Sequence, residues 1–175
     1  MRLFVALPLP DEVRAGLARW VKSCGAQPGL RWTPVEQLHF TLHFLGEVAG
    51  DRVAEITAAL GKIEAPTFQV AFERIETLGR GVLAAAAQPA PPFAALAESV
   101  RSRLRQFTAE SAQSDRAFHP HVTLARARHG ATIPKASALP ALPALKFTAT
   151  CFRLYRSELR REGAVHTVAG EWKLG

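Results

Sequence analysis

A four-residue pattern that occurs twice constrains this chain more than any other feature. Residues 39–42 and residues 121–124 both read His, hydrophobic residue, Thr, Leu, and both lie where polar and apolar residues alternate. Such alternation is typical of a strand with one buried face. A random arrangement of this composition gives about 0.04 copies of the pattern, so its duplication indicates two structurally equivalent strands.

In a strand, the His and Thr of each copy point to one side and the two apolar residues to the other. If the apolar side faces a core, then His39, Thr41, His121 and Thr123 line one cleft. Two imidazoles and two hydroxyls suit acid–base chemistry on a phosphate. A neutral imidazole accepts a proton from water, a protonated one donates to the leaving oxygen, and hydroxyls bind the remaining phosphate oxygens. The sequence alone leaves open which histidine is the acid.

The order of predicted elements supports an internal duplication, because each half reads strand, helix, motif strand. These elements cover residues 2–7, 11–24 and 38–45 in the first half, and residues 82–87, 91–107 and 118–126 in the second. Between the halves, residues 51–60 predict a helix and residues 68–78 a strand. Three prolines in residues 131–145 predict an irregular crossing. The C-terminal part predicts an antiparallel strand pair, residues 147–155 and 165–174, with a turn at residues 160–163.

We therefore expect an α+β protein that forms a single bilobal domain over residues 1–175. Two pseudo-symmetric lobes, each an antiparallel sheet with helices on its outer face, would flank a central active-site groove. A Rossmann fold is disfavoured because no Gly-x-Gly-x-x-Gly follows a strand.

Composition narrows the class of protein and of partner. The chain has 175 residues with 48% hydrophobic and 21% charged residues, which is typical of a globular protein. No apolar run approaches the roughly 20 residues that a membrane span needs, so we expect no membrane association and a cytoplasmic location. A net charge of +7 favours a polyanionic partner, of which nucleic acid is the commonest. A monomer is the default expectation.

The surroundings of the two motifs resemble a known family. Residues 38–47 and 118–126, together with residues 1–6 and 154–159, look like the 2H phosphoesterases. Within that superfamily the chain is most similar to the bacterial and archaeal RNA 2′,3′-cyclic phosphodiesterases, also called 2′-5′ RNA ligases. The resemblance covers nearly the whole chain.

The resemblance implies hydrolysis of a 2′,3′-cyclic phosphate at an RNA 3′ end to a 2′-phosphomonoester, without metal or cofactor. RNA would be the partner, with tRNA fragments among the candidates, and reversible 2′-5′ ligation would be the reverse of the cleavage. The resemblance makes His39 the proton donor and His121 the proton acceptor, and it places Thr41, Thr123 and Arg126 on the phosphate. Arg126 lies five residues after His121, so this role requires a bulge, a twist or the end of the strand there.

Other residues are weaker candidates. His43 is expected on the face of His39, more readily as a rim residue than as a third site group. A metal site on these two residues is disfavoured because no carboxylate or third ligand lies nearby in sequence. Trp32, Phe4 and Tyr155 could stack on a base, although each is more often a core residue.

The remaining histidines have little support from the sequence. His119 could position the loop before His121 or be a surface residue, and His129 and His166 have no motif support. Two other functions stay open: a 2H phosphodiesterase that acts on a small cyclic nucleotide, and a non-catalytic RNA-binding module that uses a basic groove.

Overall fold

The computed structural model describes residues 1–112, 117–160 and 163–175. Its strands are β1 (Arg2–Pro8), β2 (Leu30–Trp32), β3 (His39–Glu47), β4 (Phe68–Leu78), β5 (Val82–Ala87), β6 (His121–Ala127), β7 (Lys146–Ala149), β8 (Cys151–Arg160) and β9 (Gly163–Lys173). Its α-helices are α1 (Asp11–Ser23), α2 (Val53–Leu60) and α3 (Pro91–Leu104). The predicted turn over residues 160–163 includes residues 161 and 162, which lie outside the described residues.

The strand order is symmetric about the two motif strands. Eight described strands follow the order β7-β4-β5-β6-β3-β1-β8-β9, and β2 pairs with β6. All pairings are antiparallel, and β3 and β6 meet at one described residue pair, Phe40 with Val122. These are the second residues of the two motifs. A pseudo-two-fold axis through this pair therefore relates the two halves, in agreement with the α+β architecture of two lobes predicted from the sequence.

The helices and the main core lie on one face of the sheet. Leu3, Val5 and Leu7 alternate along β1 and are 2% exposed or less. Helix α1 buries Val13, Leu17 and Trp20 at helical spacing. Helix α3, which begins at a proline as helices favour, packs against the first motif strand β3. A helix from the second half of the chain therefore covers a strand of the first half.

The sheet curls around this core. The ring of Phe40 on β3 lies 6.4 Å from the ring of Phe147 on β7, four places away in the strand order. It also lies 5.2 Å from the ring of Phe72 and 5.5 Å from that of Phe93. The second residue of the first motif is thus a central core residue, and the motif histidines and threonines point away from it.

The C-terminal strands differ from the sequence prediction. The predicted strand over residues 147–155 is two strands, because β7 pairs with β4 while β8 pairs with β1 and β9. The chain changes from one half to the other at Thr150, between two stretches that both alternate between buried and exposed residues. No sequence pattern indicated β2. In the described part of the chain, no helix is both long and apolar enough to span a membrane.

Candidate active site

A β-bulge lies between the second motif and Arg126. The residues of β5 that pair with Thr123 and Ala125 are consecutive, so Leu124 is an extra residue on β6. An extra residue reverses the alternation of faces beyond it. Arg126 therefore lies on the same face as Thr123, and its side chain is exposed. The five-residue offset between His121 and Arg126 is thus compatible with a position of Arg126 beside the motif.

The first motif strand contains the equivalent bulge, which corrects the expectation for His43. Consecutive residues of β1 pair with Thr41 and His43, so Leu42 is the extra residue. His43 consequently points to the helix face, where its Nε2 lies 2.7 Å from the hydroxyl oxygen of Thr108. The prediction that His43 shares a face with the motif histidine is wrong for this reason. Phe44 takes the next place on the groove face.

Both motif histidines have the same tautomer. Nδ1 of His39 donates to the backbone carbonyl of Gln37 at 2.7 Å, and Nδ1 of His121 donates to the carbonyl of His119 at 2.8 Å. A carbonyl only accepts hydrogen bonds, so each Nδ1 must carry a proton. In the neutral rings Nε2 is therefore the proton-accepting atom. In each half, the carbonyl two residues before the histidine fixes this state.

The motif threonines lie between the histidines. Phe40 pairs with Val122 and the two strands are antiparallel, so Thr41 lies opposite His121 and Thr123 lies opposite His39. Both threonines are partly exposed. Within the described residues, no hydrogen bond occupies either hydroxyl group. The groove thus presents two hydroxyls as free donors between two imidazoles.

Small residues form the floor beside the threonines. Ala6 of β1 lies opposite Thr41, and Ala84 of β5 lies opposite Thr123. Both alanines are fully buried. These equivalent positions carry only methyl groups, so no long side chain of β1 or β5 lies directly opposite either threonine.

The ring of His39 lies in a mostly aromatic cluster. It stacks on Phe4 at 4.8 Å, meets His166 edge to face at 5.5 Å and lies 6.1 Å from Tyr155. The pKa of His39 is lowered to about 4, chiefly by burial. The backbone hydrogen bond to Gln37 opposes this shift, and the nearby His166 and His121 add to it. In the free protein His39 is therefore neutral at pH 7. Phe4, proposed for base stacking, is 3% exposed and supports this ring instead.

The surroundings of His121 are polar. Its ring stacks on that of His119 at 5.9 Å, and Nε2 of His119 donates a hydrogen bond to the carboxylate of Glu76. Arg74 holds the same carboxylate at 3.0 Å. Glu76 thereby anchors His119, whose backbone carbonyl orients His121. In the other half, the side-chain amide of Gln37 donates a hydrogen bond to the backbone carbonyl of Ala164, and this contact anchors Gln37.

Sequence reasoning did not identify Glu76 and His166 as site components. Glu76 reaches the site through the register of β4 on β5, and no local motif marks it. His166 comes from β9, and its Nδ1 is buried without a hydrogen-bond partner in the described part of the chain. The positional role considered for His119 agrees with its carbonyl contact. Trp32 packs near Trp20 on the helix face, away from the groove.

Sequence comparisons match this chain to a family and to curated proteins. A family model described as the 2′-5′ RNA ligase superfamily matches residues 8–161. An RNA 2′,3′-cyclic phosphodiesterase of Thermus thermophilus is 34% identical over 191 residues, which cover 99% of this chain and 90% of that protein. One from Escherichia coli is 31% identical over 176 residues, which cover 99% of this chain and 96% of that protein.

Solved structures show the same similarity. A crystal structure of a Thermus thermophilus protein has a TM-score of 0.81 and 35% identity, and the match covers 99% of this chain and 98% of that one. The crystal structure of Escherichia coli LigT complexed with 3′-AMP has a TM-score of 0.83 and 30% identity, and the match covers 99% and 97% of the two chains.

Proposed function

The chain belongs to the 2′-5′ RNA ligase superfamily, and on that basis we propose that it hydrolyses the 2′,3′-cyclic phosphate at an RNA 3′ end to a 2′-phosphomonoester. The relatives named RNA 2′,3′-cyclic phosphodiesterases support this proposal. The observation that carries it is the pair of imidazoles, held in one tautomer on adjacent strands with a free threonine hydroxyl beside each.

An in-line displacement uses both motif strands. The attacking water and the leaving 3′-oxygen lie on opposite sides of phosphorus, so one imidazole cannot serve both. Nε2 of His121 takes a proton from the water as its oxygen bonds to phosphorus. Nε2 of protonated His39 gives a proton to the 3′-oxygen as the bond from phosphorus to that oxygen breaks. The product is a 2′-phosphomonoester with a free 3′-hydroxyl, and proton exchange with solvent then restores both histidines.

The phosphate-binding groups stabilise the charge that builds up at phosphorus. Thr41 and Thr123 donate hydrogen bonds to non-bridging oxygens, and Arg126 adds a charge-assisted contact from the same face. In this assignment, taken from the family resemblance, His39 must acquire a proton although its pKa in the free protein is about 4. A phosphate anion bound beside the ring favours the imidazolium, so the proton enters together with the substrate.

The direct test is incubation with an RNA oligonucleotide that ends in a 2′,3′-cyclic phosphate, in the presence of EDTA, followed by determination of the phosphate position. We expect a 2′-phosphate end, which disappears in His39→Ala and in His121→Ala. His129→Ala is the matched control, because this histidine is exposed and outside the site. Full activity in either motif variant, or loss of activity with EDTA, would contradict the proposal.

Finer features of the function are part of the proposal. The net charge of +7 supports an RNA partner over a neutral one, and tRNA fragments are candidate substrates. A small cyclic nucleotide is the second candidate substrate, since a similar structure holds 3′-AMP. We also propose a cytoplasmic monomer that can catalyse the reverse 2′-5′ ligation. Rates on an RNA end and on a mononucleotide, together with light scattering of the purified chain, test these points.

A further inference from the structure

Arg31 lies directly opposite Arg126 on the groove face. Strand β2 pairs with β6 so that Arg31 is the partner of Arg126. On either side of it, Leu30 is buried in the core and Trp32 packs near Trp20 of α1. Because alternate residues of a strand point to opposite faces, Arg31 must point to the groove. The bulge in β6 independently turns Arg126 to that face.

The two guanidinium groups form an uncompensated pair. Both side chains are exposed, and within the described residues neither takes part in a side-chain hydrogen bond or an ion pair. Some arginines of this chain have partners, such as Arg74 with Glu76 and Arg153 with Glu171, whereas others, such as Arg103, have none among the described residues. Like charges directly opposite each other on neighbouring strands are destabilising. Anions bound beside the two side chains remove this repulsion and supply acceptors for both groups.

The position of Arg31 separates it from the reacting phosphate. It lies beside the outer end of β6, beyond Thr123 and further from both motif histidines than Thr123 is. Strand β2 takes the edge of β6 where β3 has diverged, so the groove continues past the motifs toward Arg31. An anion at Arg31 is therefore a different group from the one that lies between the histidines.

We propose that Arg31, which lies beside Arg126 at the terminal phosphate, binds the phosphodiester immediately 5′ of the terminal cyclic phosphate. This inference rests on the proposed function and names a specificity residue for it. A mononucleotide cyclic phosphate has no such linkage, whereas every RNA end has one. Arg31 therefore separates RNA ends from free cyclic nucleotides, which use the same histidines but leave this subsite empty.

The test combines a variant with a neutral substrate. Two dinucleotides that end in a 2′,3′-cyclic phosphate are compared, one with an ordinary phosphodiester linkage and one with an uncharged methylphosphonate. We expect Arg31→Gln to raise KM for the charged dinucleotide about tenfold and to leave kcat, and both constants for the neutral dinucleotide, nearly unchanged. Arg103→Gln is the control, because it removes one exposed charge from α3, which packs on the opposite face of the sheet.

Each other outcome has a defined meaning. An equal loss on both dinucleotides, or no loss on either, overturns the subsite. A binding measurement tests the subsite without turnover. The two dinucleotides are prepared with a 2′-phosphate in place of the cyclic phosphate, and their binding is measured by fluorescence anisotropy. There Arg31→Gln should weaken only the charged ligand and reduce the slope of log affinity against log salt by about 0.7. If the wild type turns over neither dinucleotide but shows this binding difference, the proposed function fails and the subsite stands.

Discussion

The two motif strands share a sequence pattern, a bulge and a histidine tautomer, but they hold their histidines in different surroundings. His39 stacks on Phe4 in a mostly aromatic cluster, and its burial lowers its pKa to about 4. His121 stacks on His119, which an acidic side chain from β4 anchors. The shared backbone gives the symmetric placement of two imidazoles. The unlike neighbours give the two imidazoles different surroundings, and burial in one of them lowers the pKa of His39.

The largest expected effect comes from removing either imidazole. His39→Ala and His121→Ala should each lower kcat on an RNA cyclic phosphate by about 10²- to 10⁴-fold, because each loses one proton transfer. A p-nitrophenyl phosphodiester of a nucleoside distinguishes the roles, since nitrophenolate leaves without a proton. On that substrate we expect His39→Ala to keep most of its activity and His121→Ala to lose it. Equal losses would show that the two halves do not have separate roles.

The second effect concerns stability in acid. His39 is protonated below about pH 6.5 in the unfolded chain but only below about pH 4 in the folded protein. The unfolded state therefore binds the proton first, and folding stability falls as the pH is lowered through this window. The shift is equivalent to about 2–3 kcal/mol at pH 4.5. His39→Asn should reduce this loss by a similar amount in urea titrations at pH 7 and pH 4.5.

His121→Asn is the matched variant for the acid measurement, since it also removes one motif imidazole. Its free energy of unfolding between pH 7 and pH 4.5 is measured in the same way. If both variants flatten the pH dependence equally, the contrast in burial between the two rings does not control their protonation.

The third effect compares the residues that follow the two bulges. Arg126 and Phe44 occupy equivalent positions on the groove face, and Phe44 is 53% exposed. Arg126→Gln should lower kcat/KM about 10- to 100-fold, because it removes a charge-assisted contact to phosphate. Phe44→Gln should change kcat/KM by less than about threefold, since no charge is lost. Steady-state kinetics on one RNA substrate measures both, and similar losses would contradict the proposed role of Arg126.

The smallest effect concerns the two anchors. Glu76→Gln weakens the contact that holds His119 against His121, and Gln37→Ala removes the contact to the carbonyl of Ala164. Each should lower kcat about three- to tenfold with little change in KM, because a histidine is held less accurately. Unchanged kcat in both variants, with intact circular dichroism spectra, would show that the backbone carbonyls alone position the rings.

The sequence predicted the parts of the site that depend on local pattern. Two alternating strands with a shared motif were sufficient to place His39, His121 and the threonines in one groove. The bulges were not predictable in the same way, because an extra residue in a strand has no regular sequence signal. The odd offset of Arg126 was an indirect indication of one bulge, while the equivalent bulge in β3 gave none and left His43 on the wrong face. Glu76 and His166 come from distant strands, so only their register brings them to the site.

The two bulges also give the groove a direction. RNA is a polar polymer, and a cyclic phosphate has unlike oxygens on its two sides. If the halves were identical, a substrate could bind in two orientations related by the pseudo-two-fold axis, and each histidine would face the leaving oxygen half of the time. The aromatic ring of Phe44 follows the bulge in β3, and the guanidinium group of Arg126 follows the bulge in β6. This difference between the halves removes the ambiguity. In the proposed function, the strand irregularity in each half therefore gives the nearly symmetric pair of motifs a single binding orientation for an RNA 3′ end.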